Sequence, residues 1–349
     1  MISQHIINEN KNVLDALNAI NALGKNEALT LFVTDDNHVV VGSLTDGDIR
    51  RCLINKGSLE TKIGNIAHRE YIYLNSGNYD ISQIRLARTK GIELLPILDG
   101  QKRIIDVVDL KNQKSCLPID AVLMAGGKGE RLRPLTEKTP KPLVKVGNKA
   151  IIDYNIERLI SYGLKNINVT VNYLGEQLEE HFSSPINGIK VDCVREPKFL
   201  GTMGSIQFVK EFHNDTILVM NGDLFTNIDY EDFYLHFIKH NADMSVAAVP
   251  YNISIPFGIF ELDGHKIQGI KEKPNYHYYA NAGIYLIKKE ALKYIPNNEF
   301  FNATDLIEEL VKQQMNVIRF PITGYWIDIG QHSELEKANE MVKHINGMD

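Results

Sequence analysis

Short apolar runs alternate with amphipathic stretches over residues 119 to 349. The runs have the length and β-branched content of buried strands, and the stretches repeat apolar residues with helical spacing. In chain order they are DAVLMAG (strand), AIIDYNIERLISYGL (helix), NINVTVNY (strand), GEQLEEHF (helix), IKVDCVRE (strand), TMGSIQFVKEF (helix) and TILVMNGD (strand). Repeated β-α units predict an α/β domain with a mixed, mostly parallel sheet covered on both faces. Ligands of such sheets bind beyond the carboxyl ends of the strands.

Residues 1 to 112 have a different pattern, because they contain a weak internal repeat. LTLFVTDDNHVVVGSLTDGDIRRCL begins at Leu29, and LLPILDGQKRIIDVVDLKNQ begins at Leu94. Each copy predicts a strand, an Asp/Gly turn, a second strand and a helix start. A helical pattern that ends at a glycine precedes each copy, NVLDALNAINALG in the first case and DISQIRLARTKG in the second. The predicted parts are repeats at about 1–60 and 61–112, a linker at 113–118 and a second domain at 119–349.

Composition and charge limit the classes of partner. The chain has 349 residues, 44% of them hydrophobic, and a formal net charge of -6. A net negative charge gives no general attraction to nucleic acid or to an anionic membrane, so we expect neither as a partner. The sequence shows no secretory leader pattern, no apolar run that could span a bilayer, and three cysteines without CxxC spacing. We therefore expect a cytoplasmic globular protein with reduced thiols.

A glycine-rich stretch with local positive charge follows the first strand of the second domain: LMAGGKGERLRPLTEKTPKPL, residues 123–143. Its glycines at 126, 127 and 129 permit positive φ and let backbone N–H groups approach phosphate oxygens. Arg131 and Lys141 add charge that a plain turn would not need. The stretch is not a P-loop, because GxxxxGK[ST] is absent, and it lacks the third glycine of the dinucleotide fingerprint.

With GERLRPLTEKTPKPL attached, this stretch resembles the signature of the sugar-1-phosphate nucleotidyltransferases. Six further motifs of that family follow in the expected order, namely REPKFLGTMGS, MNGD, PFGIF, KEKP, NAGIY and YWIDIG. The resemblance covers about residues 119 to 349 and implies a Rossmann-like domain. It also implies a reaction in which a phosphate oxygen of a sugar 1-phosphate attacks the α-phosphorus of a nucleoside triphosphate, giving a nucleotide-sugar and pyrophosphate.

The resemblance also implies roles for individual residues. Both reactants are anions, so positioning and charge neutralisation supply most of the catalysis. Arg131 is expected to bind the triphosphate, Lys141 the α-phosphate or the sugar phosphate, and Lys273 the sugar phosphate. The nucleotide-binding candidates are Leu123, Ala125, Gly126, Gly127, Gly129, Glu196, Gly201 and Thr202. The sugar-binding candidates are Asn221, Gly258, Glu272 and Asn281.

Two carboxylates are candidates for a metal site. Asp223 ends the TILVMNGD run, which places it at the carboxyl edge of the sheet, and Asp328 follows Trp326 in a second apolar strand. Together with substrate phosphate oxygens they suit Mg²⁺, which prefers oxygen ligands and retains some waters. In the family that the motifs resemble, these two positions hold the metal, so we expect Mg²⁺ as the cofactor.

Glu196 bears on the choice of nucleobase. A carboxylate only accepts hydrogen bonds, and guanine presents two adjacent donors, N1–H and the N2 amino group, that match it. Uracil and thymine present one donor between two acceptors, which suits an amide better. The residue type favours GTP over UTP or TTP, although UTP remains an alternative and Glu196 before Pro197 is also compatible with a simple exposed position.

The two N-terminal repeats resemble a pair of CBS domains, a module that often binds adenine or guanine nucleotides. In that family a glycine, a Ser/Thr and an Asp bind the ribose at the start of the last helix, which corresponds here to Gly42, Thr45 and Asp48. The second copy lacks the threonine and so departs from this pattern. Thr45 and Asp46 also suit a helix N-cap, so a regulatory purine nucleotide and a purely structural or oligomerising role both stay open.

The predicted protein is thus a CBS pair joined to a nucleotidyltransferase domain, expected as a homo-oligomer. It resembles most closely the bacterial guanylyltransferases with CBS domains that act on glucosamine 1-phosphate or related hexose phosphates, as in legionaminic acid synthesis. The alternatives within the class are a mannose- or heptose-1-phosphate guanylyltransferase and a uridylyltransferase. The alternative from another class is a nucleotide-sensing regulatory protein with an inactive transferase domain, against which the intact charged residues argue.

Overall fold

The chain forms two compact units in the computed structural model, which describes residues 2–24, 27–77 and 79–345, the side chain of Ile345 excepted. One unit comprises Met1–Leu117 with Ser161–Gly163, and the other comprises Pro118–Ile160 with Leu164–Asp349. The boundary at Leu117 lies at the end of the linker that the sequence predicts. No helix among the described residues is long and apolar enough to cross a bilayer.

The N-terminal unit contains two three-stranded sheets of the same topology. In each sheet the first strand runs parallel to the second, and the second pairs antiparallel with the third. The shared topology is what an internal repeat predicts, since equivalent sequences make equivalent pairings. The elements are β1 (Ile6–Asn8), α1 (Val13–Ala22), β2 (Thr30–Thr34), β3 (Val40–Thr45), α2 (Asp46–Ile54), β4 (Leu74–Asn75), α3 (Ile81–Thr89), β5 (Leu94–Leu98) and β6 (Ile104–Asp109).

The two repeats differ where the first continues into α2. The helix start predicted after the second copy is wrong: β6 ends at Asp109, and a turn follows it. The Asp109 carboxylate accepts a hydrogen bond from Lys111 N at 2.9 Å, and the backbone carbonyl of Asp109 accepts one from Gln113 N at 2.8 Å. Asp109 therefore closes a local turn instead of capping a helix, a competition typical of aspartate.

The second unit is built on a seven-stranded sheet in the order β11-β10-β7-β12-β17-β14-β18. Pairs β12–β17 and β14–β17 are antiparallel and the other pairs are parallel, so the sheet is mixed and mostly parallel, as predicted. The elements are β7 (Ile119–Met124), β8 (Lys145–Val146), β9 (Lys149–Ala150), α4 (Ile151–Ser161), β10 (Ile167–Val171), α5 (Gly175–His181), β11 (Val191–Arg195), β12 (Thr216–Asn221), β13 (Leu224–Thr226), α6 (Tyr230–Lys239), β14 (Met244–Ser254), β15 (Ile259–Asp263), β16 (Lys266–Lys271), β17 (Asn275–Lys288), α7 (Ala303–Lys312), β18 (Val317–Pro321), β19 (Trp326–Asp328) and α8 (His332–Ile345).

The core of this unit lies between the sheet and its helices. Strands β7 and β12 are buried along most of their length, and α4 buries Ile152, Ile156 and Leu159 on one face. Burial of each such side chain stabilises the fold by about 1.5–3 kcal/mol relative to exposure. The side chain of Asn155, also buried on α4, donates to the carbonyl of Leu224 at 2.8 Å and so fixes the helix to β13.

The predicted helix TMGSIQFVKEF is wrong, because the structure has only the 3-10 turn Gly204–Phe208 there. The N–H groups of Met203 and Gly204 donate to the carbonyl of Phe301, at 2.9 and 3.1 Å. A Cβ on Gly204 would lie 2.6 Å from the carbonyl oxygen of Glu299. The segment follows the loop before α7 instead of closing helical hydrogen bonds, since tertiary packing overrides a weak helical pattern.

Beyond β18 the sheet extends as a two-stranded arm. Residues 249–254 of β14 pair only with residues 275–280 of β17, and the hairpin β15–β16 follows at the end of the arm. One face of that hairpin carries Phe260 opposite Ile270 and Leu262 opposite Ile267, each more than half exposed. The arm contains the predicted sugar-binding residues of the PFGIF and KEKP motifs.

Candidate active site

The glycine-rich loop follows the carboxyl end of β7, as the sequence predicts. Gly129 has φ of +61°, and a Cβ there would lie 3.0 Å from the side chains of both Lys141 and Thr136. A Cβ on Gly126 would lie 2.4 Å from Glu196 Oε1. The backbone angle therefore favours glycine at position 129, and a side chain at position 126 would displace the Glu196 carboxylate from the place that it occupies.

A cavity of about 600 Å³ opens beside this loop. Its polar lining has more positive than negative side chains, which suits a polyanionic ligand. The cavity also lies beyond the carboxyl ends of β7, β10 and β12, which is where ligands bind in open α/β sheets. The lining residues are Gly126, Gly127, Lys128, Gly129, Glu130, Arg131, Lys141, Asn172, Phe199, Asp223 and Gly330.

A second cavity of about 150 Å³ shares part of this lining and contains the Glu196 carboxylate. Its other lining residues include the predicted Ala125, Gly201, Thr202 and Asn221. Leu123 is fully buried in β7 and lines neither cavity among the described residues. The structure thus brings the nucleotide-binding candidates together, with Leu123 as the exception.

Lys141 and the two predicted metal ligands form one cluster. The Lys141 ammonium pairs with Asp223 Oδ2 and lies 3.8 Å from Asp328 Oδ1. The two carboxylates are adjacent because β13 pairs antiparallel with β19, which sets Leu224 opposite Asp328, and Ile329 N donates to the Asp223 carbonyl at 3.2 Å. Burial raises the pKa of Asp328, and Asp223 raises it further, while Lys141 and Arg131 oppose the shift.

The chemistry of this cluster fits a magnesium ion. Asp223 Oδ1 is buried and has no hydrogen-bond partner among the described residues, so it is an oxygen ligand free to bind a cation. The described residues contain no group of three or more His, Cys, Asp or Glu side chains that could hold a metal ion. Two carboxylates with substrate phosphates and water are a usual protein environment for Mg²⁺, which seldom occupies an all-protein cage.

Glu196 occupies a largely buried position. The residue is 5% exposed, and its Oε2 accepts a hydrogen bond from Leu200 N at 3.0 Å. Burial raises the pKa of Glu196, and the Leu200 N–H opposes the shift. The alternative of a simple exposed glutamate before Pro197 is therefore wrong, since the side chain is enclosed against Gly126.

The sugar-binding candidates lie on the arm and at its base. A Cβ on Gly258 would lie 2.9 Å from Glu272 Oε2, so these two residues are in contact. Lys273 adopts φ of +43°, and the Asn281 side chain accepts from Gly283 N at 2.9 Å. None of these four lines either cavity among the described residues, whereas Asn221 lines the smaller one. Their role in binding sugar stays a prediction.

Five residues that line the larger cavity were not predicted: Lys128, Glu130, Asn172, Phe199 and Gly330. Asn172 directly follows β10, so its position at the carboxyl end of a parallel strand was a usable signal. Gly330 lies against Arg131, whose Nη2 would be 3.1 Å from a Cβ at that position. Nothing local marks Phe199, because its place at the cavity depends on how its loop packs.

The predicted CBS residues form a helix cap in the N-terminal unit. Asp48 Oδ2 accepts from Thr45 N at 2.8 Å and Thr45 Oγ1 at 2.7 Å, and Oδ1 accepts from Arg51 at 2.6 Å. A Cβ on Gly42 would lie 2.9 Å from the carbonyl oxygen of His68. Thr45 and Asp48 nevertheless line a cavity of about 560 Å³ within this unit. Thr45 and Asp48 therefore have a structural role as the cap of α2, and ligand binding by these residues stays a proposal.

The family profile for nucleotidyl transferases matches residues 120–344, which is more than half of the chain and includes both carboxylates and both cavities. The chain belongs to the nucleotidyl transferase family. The motif-based prediction of a nucleotidyltransferase domain is thus confirmed.

Two relatives and one solved structure illustrate this family membership. The chain is 32% identical over 232 residues to the bifunctional protein GlmU of Methanocaldococcus jannaschii, covering 64% of this chain and 54% of that protein. It is 28% identical over 223 residues to the mannose-1-phosphate guanylyltransferase catalytic subunit beta of Danio rerio, covering 60% and 61%. HddC from Yersinia pseudotuberculosis, also solved in complex with GMP-PN, is 26% identical with a TM-score of 0.51, covering 64% of this chain and 99% of that one. The chain therefore spans between 54% and 61% of the length of these two relatives.

Proposed function

We propose that this nucleotidyltransferase joins GTP and a hexose 1-phosphate, with glucosamine 1-phosphate favoured, into a nucleotide-sugar and pyrophosphate. The observation that carries the proposal is the cluster at the cavity, where a glycine-rich loop, two cations and two adjacent carboxylates meet. These are the groups that bring two phosphate-bearing reactants together against their repulsion. Mannose- or heptose-1-phosphate guanylyl transfer and uridylyl transfer are the nearest alternatives.

The chain's own residues perform the binding and the charge neutralisation. A phosphate oxygen of the sugar 1-phosphate forms the new bond to the α-phosphorus as the bond from that phosphorus to the bridging oxygen breaks, and pyrophosphate leaves with that oxygen. The loop N–H groups and Arg131 hold the triphosphate, and Lys141 offsets the charge at the α-phosphate. Asp223 and Asp328 would hold Mg²⁺, which when bound supplies further charge neutralisation of the phosphates.

The choice of GTP rests on the environment of Glu196. Both carboxylate oxygens can still accept hydrogen bonds, because among the described residues Leu200 N is the one donor bonded to them. Guanine N1–H and N2–H would be the matching donors. Relatives whose names include guanylyltransferase, and the HddC complex with GMP-PN, support the same direction.

A matrix of nucleotides against sugar phosphates tests the proposal. Pyrophosphate release is measured for GTP, UTP, TTP and ATP with glucosamine, mannose, heptose and glucose 1-phosphates. We expect turnover with GTP. In Glu196→Gln we expect kcat/KM for GTP to fall by about 10- to 100-fold, because a charged carboxylate that only accepts hydrogen bonds becomes a neutral amide that accepts with one end and donates with the other. The GTP to UTP ratio is expected to fall in that variant.

The control is Glu211→Gln, since Glu211 is an exposed glutamate of the same unit. Equal GTP preference in Glu196→Gln and parent would refute the base-reading role. Turnover with no pair, together with a nucleotide-dependent rise in melting temperature, would favour the alternative of a regulatory protein that senses nucleotide in its N-terminal unit.

Activity with GTP is also expected to fall at acidic pH. Burial raises the pKa of Glu196, so this carboxyl stays protonated to a higher pH than an ordinary one. A protonated Glu196 loses a hydrogen-bond acceptor for the base. The acid limb of kcat/KM for GTP should therefore lie above the usual carboxyl range, and Glu196→Gln should lose the Glu196 component. An acid limb unchanged in Glu196→Gln would contradict the assignment.

A further inference from the structure

Phe199 and Phe300 form an exposed aromatic pair beside the two cavities of the site. Their ring centroids lie 5.9 Å apart, and the two residues are 52% and 56% exposed. The residues that follow them turn inward: Leu200 is fully buried, and Phe301 packs against the core. Two neighbouring rings left in water next to a polar cavity are a usual mark of a surface that a ligand covers.

Backbone hydrogen bonds join the two loops that carry this pair. Phe301 N donates a hydrogen bond to the Leu200 carbonyl at 2.9 Å, and Met203 N donates one to the Phe301 carbonyl at 2.9 Å. Gly201 has φ of +78°, and a Cβ there would lie 2.7 Å from that same carbonyl oxygen. The loop with Phe199 and the loop with Phe300 are thus held together at fixed spacing.

The position of Phe199 is tied to Glu196. Both belong to one loop, and the Glu196 carboxylate accepts from the N–H of Leu200, which directly follows Phe199. Phe199 lines both cavities: the larger one beside the glycine-rich loop, and the smaller one that Glu196 also lines. Among the described residues it is the only aromatic side chain that lines either of them.

We propose that the ring of Phe199 stacks on the nucleobase of the bound triphosphate, with Phe300 supporting it from behind. A base bound by its edge to Glu196 leaves its two faces to be covered, and an aromatic ring covers a face well. A purine offers a larger face than a pyrimidine. Phe199 therefore selects purine over pyrimidine, while Glu196 selects guanine among purines. This assignment rests on the proposed function for the identity of the ligand as a nucleoside triphosphate.

The test measures binding of GTP and UTP with Mg²⁺ to the full chain without sugar phosphate, beside turnover of a productive pair. We expect Phe199→Ala to raise the Kd for GTP by about 10- to 100-fold, with a smaller rise for UTP. The KM for GTP should rise together with this Kd. Phe199→Trp, which keeps a ring, should restore GTP affinity, and Phe300→Ala should cause a smaller loss because Phe300 is not among the described residues that line either cavity.

Ile238→Ala is the control, since Ile238 is a half-exposed apolar residue on α6. Parent-like GTP affinity in Phe199→Ala, with an unchanged melting temperature, would overturn the stacking role and leave the proposed function standing. Weakened GTP binding in Phe199→Ala, together with no turnover by the parent chain with any sugar phosphate, would support stacking and refute the proposed reaction. Failure of the parent chain to bind either nucleotide would overturn both.

Discussion

Asp223→Asn is expected to lower magnesium-dependent pyrophosphate release by about 100- to 1,000-fold, with the fold retained. Asparagine keeps the size of the side chain but removes the charge that binds Lys141 and would bind Mg²⁺. The buried Oδ1, which has no hydrogen-bond partner among the described residues, would then belong to a neutral amide and would bind Mg²⁺ more weakly than a carboxylate oxygen does. Losses of this size follow removal of a single group that stabilises charge in the transition state. Initial rates across a range of Mg²⁺ concentrations, beside the melting temperature, provide the measurement.

The matched control for this change is Asp192→Asn, since Asp192 is an exposed aspartate on β11 paired with Lys190. It should keep the parent rate. Asp328→Asn should follow Asp223→Asn in direction, because the two carboxylates share Lys141. Parent-like turnover in Asp223→Asn would remove the basis for a metal site at this pair.

Lys141→Met is expected to lower kcat/KM for both substrates by about 100- to 1,000-fold. Methionine keeps much of the side-chain volume but not the charge, so the α-phosphate and the sugar phosphate would repel each other without this cation. The substitution also leaves Asp223 and Asp328 facing each other without their cationic partner. We therefore expect Mg²⁺ alone to raise the melting temperature of Lys141→Met more than that of the parent, since the ion no longer competes with an ammonium.

Lys145→Met provides the control, because Lys145 is an exposed lysine in the same segment. It should change neither the rate nor the response to Mg²⁺. An Mg²⁺ response equal in Lys141→Met and parent would show that the lysine and the ion do not share these carboxylates. A loss of kcat/KM for one substrate alone would show that Lys141 binds that substrate and not the other.

Local pattern predicted most of the elements of this chain. Strands β7, β10, β11 and β12 and helices α4 and α5 appear where apolar periodicity placed them, since a period of 2 or 3.6 is a property of neighbouring residues. The two failures have a common cause. The segment after Gly201 and the segment after Asp109 both bond to groups that compete with a helix, one through a distant loop and one through an aspartate side chain.

From the sequence alone one could predict the glycine loop with its cations, many of the strands and helices, and the residue types that suit phosphate chemistry. These depend on the backbone freedom of glycine and on side-chain chemistry, both of which are readable one residue at a time. Only the tertiary structure decided that Asp223 and Asp328 are adjacent, that Glu196 is buried against Gly126, and that Phe199 meets Phe300. Each of these pairings is long-range, and it forms because strand pairing and core packing offset the entropy of closing the intervening chain.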